Sequence, residues 1–407
     1  MNMRKWLTTL LLPLFSSCAQ SWFAIAWVMK HLLLIPILCG MSLHAAEDFP
    51  LLKKQLDEEI AKHEMVGGLV QTGDRDGVLR QEMSGLADTA SKRAIQEDDL
   101  FWIASMTKPI TGTAVMMLHE RGKLNIQDPV KKYLPEFADL KDAQGKQVII
   151  TIAQCLQHSS GLSDVPRGAD AEFETLAELT KHVVTLPVNF PPDSKWSYCQ
   201  SSINTAARVV EVVSGKSFEA FVAEELFQPL GMKDTTFSPS AEQLKRLCKA
   251  YQKSSATEWK EAPLSFLLGE PGANKKRYPR ASGGLFSTAA DYGRFARMIL
   301  RGGELDGRRY LKEETVREMT RVHTGDLATG FTPGNGWGIG WCVIREPQGV
   351  TATLSPGSHG HGGAFGTQCW IDPVKKRYFL FLVQRADFPN SDGSATRQAL
   401  QEKAFAP

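Results

Sequence analysis

Apolar residues change their spacing twice along this chain. From Phe49 to Lys62 they recur every three to four residues, the interval that lines one face of a helix. Two strand-like runs follow, Gly68–Thr72 and Gly77–Met83, around a turn that contains Gly and Asp. After the apolar run Phe101-Trp102-Ile103-Ala104, helical spacing resumes at Ile110, Ala114, Met117 and Leu118 and predicts a helix that Gly122 ends. Further helices are predicted over Thr151–Gln157, Glu172–Leu186, Ser202–Val213, Phe218–Phe227 and Leu285–Leu300, with Ser202, Ser217 and Thr288 as N-caps. Beyond Gly330 glycines, aromatics and alternating apolar residues take over. They predict strands at Trp337–Val343, Gly366–Ile371 and Tyr378–Val383, then a closing helix from Ser394 to Phe405. Strands at both ends with helices between them predict an α+β fold. In it an α/β region, with an antiparallel sheet flanked by the terminal helices, receives an inserted all-helical region at roughly residues 125–280, all within one domain over 47–407.

One predicted helix start carries chemistry. Ser105-Met106-Thr107-Lys108 places a hydroxyl and an amine three residues apart, on one face of a helix. A serine is a poor nucleophile until a base takes its proton, and a desolvated lysine amine can be that base. Pro109 fits only in the first turn, where its missing N–H costs nothing. Ser105 therefore sits where free backbone N–H groups and the helix dipole favour a developing negative charge. The same pattern suits an N-cap serine with a solvated lysine, so other segments must decide.

Charge and cysteine usage narrow the options. The 407 residues hold 47 Lys+Arg against 45 Asp+Glu, which leaves no basic excess to hold nucleic acid. Residues 1–46 differ from the rest: they contain Arg4, Lys5 and Lys30 and no acidic side chain. They read as two signal-like units in tandem, each with a basic start, an apolar middle and small residues after it. One export signal suffices, so Met29 is the expected start, with an over-extended frame before it and cleavage near Ala46. The protein is expected to be exported, periplasmic or extracellular, with membrane contact only through that signal. The remaining cysteines, Cys155, Cys199, Cys248, Cys342 and Cys369, are odd in number and widely spaced, unlike a disulfide framework or a zinc site.

Two later segments add reactive groups. Trp196-Ser197-Tyr198-Cys199-Gln200-Ser201 puts a tyrosine in a tight loop before a helix. A nearby lysine ammonium is expected to lower its pKa below the usual value of about 10 and make Tyr198 a proton shuttle. Cys199 beside it is either a packing residue or an oxidation-sensitive neighbour. Gly360-His361-Gly362-Gly363-Ala364-Phe365-Gly366 opens a strand with glycines, which lets a ligand or another backbone approach closely. A metal pair of His359 and His361 lacks an indicated third ligand.

Taken in order, Ser105-x-x-Lys108, Tyr198-x-Gln200 and His361-Gly362-Gly363 resemble the serine β-lactamase superfamily of the class C type, which also holds D-alanyl-D-alanine carboxypeptidases and related esterases. Supporting stretches resemble it too: Gln157–Leu162, Pro229–Met232, Ser282–Thr288 and Gly336–Trp341. The resemblance implies a β-lactamase/penicillin-binding transpeptidase-like fold, a site between its two regions, and no metal or organic cofactor. It implies Ser105 as the acylated nucleophile, Lys108 as its base or a group that tunes it, and Tyr198 as the relay to the leaving group and the activator of the deacylating water. Gln200, His361, Gly363 and Ala364 would bind a small-molecule or peptide substrate, with the N–H groups of Ser105 and Ala364 as the oxyanion hole. This chain departs from the pattern twice. Gln200 stands where asparagine is usual, and His361-Gly362 where lysine and a hydroxyl residue are usual. A histidine only partly charged near neutral pH grips a β-lactam carboxylate poorly. The expected activity is therefore hydrolysis of an ester or a D-amino-acid peptide. A true β-lactamase and a non-catalytic binder of peptidoglycan fragments or peptides are the alternatives.

Overall fold

The computed structural model describes residues 50–166, 168–264, 267, 277–330, 332–388 and 391–406. The export-signal reading of residues 1–46 lies outside them. The chain opens with helix α1, Pro50–Ala61, and strands β1, Gly67–Asp74, β2, Val78–Asp88, and β3, Arg93–Ala94. The central stretch supplies α2, Thr107–Glu120, α3, Ile152–Leu156, α4, Leu176–Val183, α5, Gln200–Ser214, α6, Phe218–Val222, α7, Ala289–Leu300, and α8, Glu313–Thr320. Strands β4, Asn335–Trp337, β5, Cys342–Ile344, β6, His359–Gly362, β7, Gln368–Asp372, and β8, Arg377–Val383, precede the closing helix α9, Ala395–Ala404.

These strands form one antiparallel sheet in the order β4-β5-β6-β7-β8-β1-β2-β3. The two ends of the chain meet in its middle, where β1 pairs with β8 from Gly68 opposite Val383 to Asp74 opposite Arg377. The period-two alternation of β8 explains why both faces are covered. Phe379, Phe381 and Val383 pack with Leu52 and Leu56 of α1 and Leu400 and Ala404 of α9. Tyr378, Leu380 and Leu382 join the other cluster, with Tyr292, Phe295 and Ile299 of α7. Burying each such large side chain stabilises the fold by about 1.5–3 kcal/mol. A hydrogen bond from Thr396 Oγ1 to Glu59 Oε2, 2.7 Å, ties the terminal helices together. Among the described residues no helix is long and apolar enough to cross a membrane.

Several boundaries differ from the sequence reading, each for a local reason. Leu285–Ser287 is extended, not helical: Ile103 N–H donates to Leu285 O, and Phe286–Ser287 pairs with Phe101–Trp102. Helix α7 then starts after Thr288, whose hydroxyl accepts from Asp291 N–H as expected of a cap. The Trp337–Val343 strand is two strands, because Gly340 takes a φ of +80° and turns the chain. The helix over Phe218–Phe227 is α-helical only to Val222. A π-turn covers Ala223–Phe227, ahead of Pro229, which lacks the N–H that would continue the α ladder. The inserted region also holds a hairpin, Tyr251–Lys253 with Trp259–Glu261. It forms because the backbone after β8 offers partners: Tyr251 N–H donates to Gln384 O and Ala386 N–H to Tyr251 O.

Candidate active site

Ser105 lies in a 3-10 turn, Ala104–Met106, that runs directly into α2. Ala104 before it has a φ of +47°, a left-handed conformation that an alanine rarely adopts. The surroundings hold that turn at several points. Thr107 Oγ1 donates to Ala104 O at 2.6 Å and accepts from Leu285 N–H at 3.2 Å, and Tyr292 OH donates to Met106 O at 2.9 Å. The result presents a half-buried Ser105 beside a wholly buried Lys108.

The Lys108 amine has three partners: Ser105 Oγ at 3.0 Å, Gln200 Oε1 at 2.9 Å and Ser282 O at 2.6 Å. Burial depresses its pKa to about 7, outweighing the opposing pull of Asp164. Two of the partners are carbonyl oxygens that only accept. A neutral amine spends its two N–H bonds on them and keeps a lone pair, which can then accept the Ser105 proton. The motif's spacing is therefore matched by its electrostatics.

Tyr198, Gln200 and His361 meet these two residues from other elements. Gln200 opens α5, whose N-cap is Cys199, not Ser202 as expected. The Cys199 sulfur accepts from Ser202 N–H at 3.3 Å, so Ser202 lies inside the helix. Lys108 Nζ stands 4.4 Å from the centre of the Tyr198 ring. Yet burial dominates and pushes the phenol pKa up, so the lowered value expected for Tyr198 does not hold. Tyr198 is a protonated phenol, with the Ser105 and Gln200 side chains opposing the upward shift, and is suited to donate a proton. Its OH reaches His361 Nε2 at 3.4 Å. His361 Nδ1 faces its neighbour's carbonyl, Gly362 O, at 2.6 Å, so Nδ1 carries the hydrogen and Nε2 accepts. Burial, then the Lys108 charge, hold the His361 pKa at about 3. The imidazole is neutral at pH 7, where partial charge was expected.

The glycines after His361 bring β6 against the turn that holds Ser105. A Cβ on Gly363 would stand 2.7 Å from Ile103 O. A Cβ on Gly362 would collide with the Asp392 carboxylate, which fills the space a hydroxyl residue would use. Gly366 N–H donates to Gly363 O at 2.9 Å and closes a turn with Ala364 exposed at its tip. The Ala364 N–H donates to no backbone carbonyl among the described residues. The structure thus gathers Ser105, Lys108, Tyr198, Gln200 and His361, and sets the Gly363-Ala364 turn beside the residues that precede Ser105. Cys199 is buried, its thiol donating to Leu162 O at 3.3 Å and Asp164 Oδ1 at 3.2 Å. Burial first, then Asp164, hold its pKa well above the usual thiol value, so it is no reactive thiolate. His359 packs its ring on Trp341, and among the described residues no group of three or more His, Cys, Asp or Glu side chains could hold a metal ion.

Sequence reasoning missed two contributors. The Ser282 carbonyl leaves no side-chain signature. His158, within the Gln157–Leu162 stretch, is buried with a φ of +63°, and its ring lies 4.6 Å from that of Tyr198. A serine hydroxyl beside a buried amine and a protonated phenol is an arrangement that suits a serine hydrolase. The chain belongs to the family described as Beta-lactamase, which matches residues 52–403. It is 29% identical over 380 residues to esterase EstB of Burkholderia gladioli, covering 85% of this chain and 93% of that protein. It is 26% identical over 381 residues to the D-alanyl-D-alanine-carboxypeptidase/endopeptidase AmpH of Escherichia coli, covering 88% and 92%. The solved structure of EstCE1, a hydrolase with promiscuous acyltransferase activity, superposes with a TM-score of 0.76 at 22% identity, covering 89% of this chain and all of the other.

Proposed function

We propose that this protein is an exported esterase that acylates Ser105 with uncharged esters in preference to carboxylate-bearing peptides or β-lactams. The observation that carries the reading is the buried Lys108 amine 3.0 Å from Ser105 Oγ. Ser105 Oγ attacks the ester carbonyl while its proton passes to Lys108 Nζ. The N–H groups of Ser105 and Ala364 stabilise the oxyanion. The carbon–oxygen bond to the leaving group breaks as Tyr198 gives that alkoxide its proton, and Lys108 returns a proton to Tyr198. Water then repeats the sequence in reverse and frees the acid. The preference for neutral substrates rests on charge. His361 is neutral and Lys108 is fully enclosed, so a substrate carboxylate meets no open cation at either. Export rests on the composition of residues 1–46.

The test treats the purified protein with a fluorophosphonate probe, then assays short-chain esters, a chromogenic cephalosporin and a D-Ala-D-Ala peptide. Labelling that disappears in Ser105→Ala, with ester turnover well above that of the other two, is expected. No labelling removes the acyl-enzyme reading, and faster peptide or cephalosporin turnover removes the ester preference.

A further inference from the structure

We infer that His158 is a positioning residue that holds Tyr198 in place to protonate the leaving group; the inference rests on the acyl-enzyme reading above. His158 grips the chain on both sides of Tyr198. Its backbone carbonyl accepts from Ser197 N–H at 2.9 Å, and its ring Nδ1 accepts from Cys199 N–H at 3.1 Å. Between those bonds its ring lies against the Tyr198 ring, centroids 4.6 Å apart. The backbone carbonyl and the ring serve the same loop while His158 holds a φ of +63°. A non-glycine residue in that region is uncommon and persists where its surroundings over-determine it.

The imidazole does what few side chains can do here. Nδ1 must be bare to accept the Cys199 N–H, so the hydrogen sits on Nε2. Nε2 is buried without a polar partner among the described residues, in a wall formed with the rings of Trp337 and Trp196, 5.2 and 5.7 Å away. Burial, Lys108 and His361 all hold the ring neutral, which preserves the Nδ1 lone pair. A phenol that drifts even 1 Å from the leaving oxygen loses much of its effect as an acid.

Leaving-group dependence tests the role, because p-nitrophenolate and fluoride leave unprotonated whereas an alkoxide does not. His158→Phe keeps a ring and loses the acceptor. It is expected to label with fluorophosphonate and cleave p-nitrophenyl acetate within about 3-fold of wild type, yet to lose roughly 10- to 100-fold on ethyl esters. His158→Asn, which restores an acceptor and tolerates the left-handed backbone, should recover most of that loss. Combined with Tyr198→Phe, His158→Phe should cost nothing further, since the two act through one group. Equal losses on both ester classes, or multiplying losses in the double variant, overturn the role. Should His158→Phe not fold, Ser197→Pro decides. It removes the other bond from the exposed side, and a uniform loss or none there overturns the inference as well. Unlabelled wild type would instead remove the acyl-enzyme reading itself.

Discussion

Lys108 has no carboxylate among its hydrogen-bond partners, so nothing offsets its burial in full and its pKa stays at about 7. The amine is neutral above that value and charged below it. The kcat/KM for a p-nitrophenyl ester should therefore rise with pH through about 7 and then level off. Gln200→Glu would put a negative charge where Gln200 Oε1 now stands, 2.9 Å from the amine. It should move that limb up by about one unit or more, because an opposite charge favours the ammonium. A limb that stays in place would show that another group titrates. At this scale the cluster of Ser105, Lys108, Tyr198 and His361 was legible, since each is a side chain in a short motif. Their charge states were not legible, because burial depends on residues far along the chain. Tyr198 and His361 both came out more neutral than the motifs implied.

Helix α2 carries Lys108 and is wedged against the turn between β4 and β5. A Cβ on Gly112 would collide with Ile339 O, and one on Gly340 would stand 3.1 Å from the Gly112 Cα. Gly112→Ala, one turn beyond Lys108, should lower stability by roughly 1–3 kcal/mol. It should also reduce ester turnover as the helix is pushed off its seat. Urea unfolding and kcat on the same sample check both, and an unaltered midpoint would mean the contact yields. Element types were mostly readable from spacing, and the caps Ser217 and Thr288 each accept the N–H expected of them. What escaped were features made by long-range backbone pairing, such as the extended Phe286–Ser287, and the cap on α5, where a thiol does the work of a hydroxyl.

Across the described residues three fully buried histidines stay neutral. Burial is the first cause for each, holding His359 at about 4, His361 at about 3 and His158 well below 6.5. Below pH 6.5 the unfolded chain takes up protons that the folded chain refuses, so stability present above that pH is lost as pH falls. The loss is about 1.4 kcal/mol per pH unit for each histidine until its folded pKa is reached. The urea midpoint should fall steeply between pH 6.5 and about 4, and His359→Asn should make the slope shallower by about a third. An unchanged slope would place the acid sensitivity elsewhere. The pairing of β1 with β8 has a further consequence for how this chain is made. Arg377–Val383 leaves the ribosome long after Gly67–Asp74, and the sheet cannot close before it arrives. Until then Gly67–Asp74 has a bare edge, without the strand that buries Leu69 and Val70 in the closed sheet. A chain that stops short of Arg377 is an open-edged hairpin that is prone to stick to others like itself.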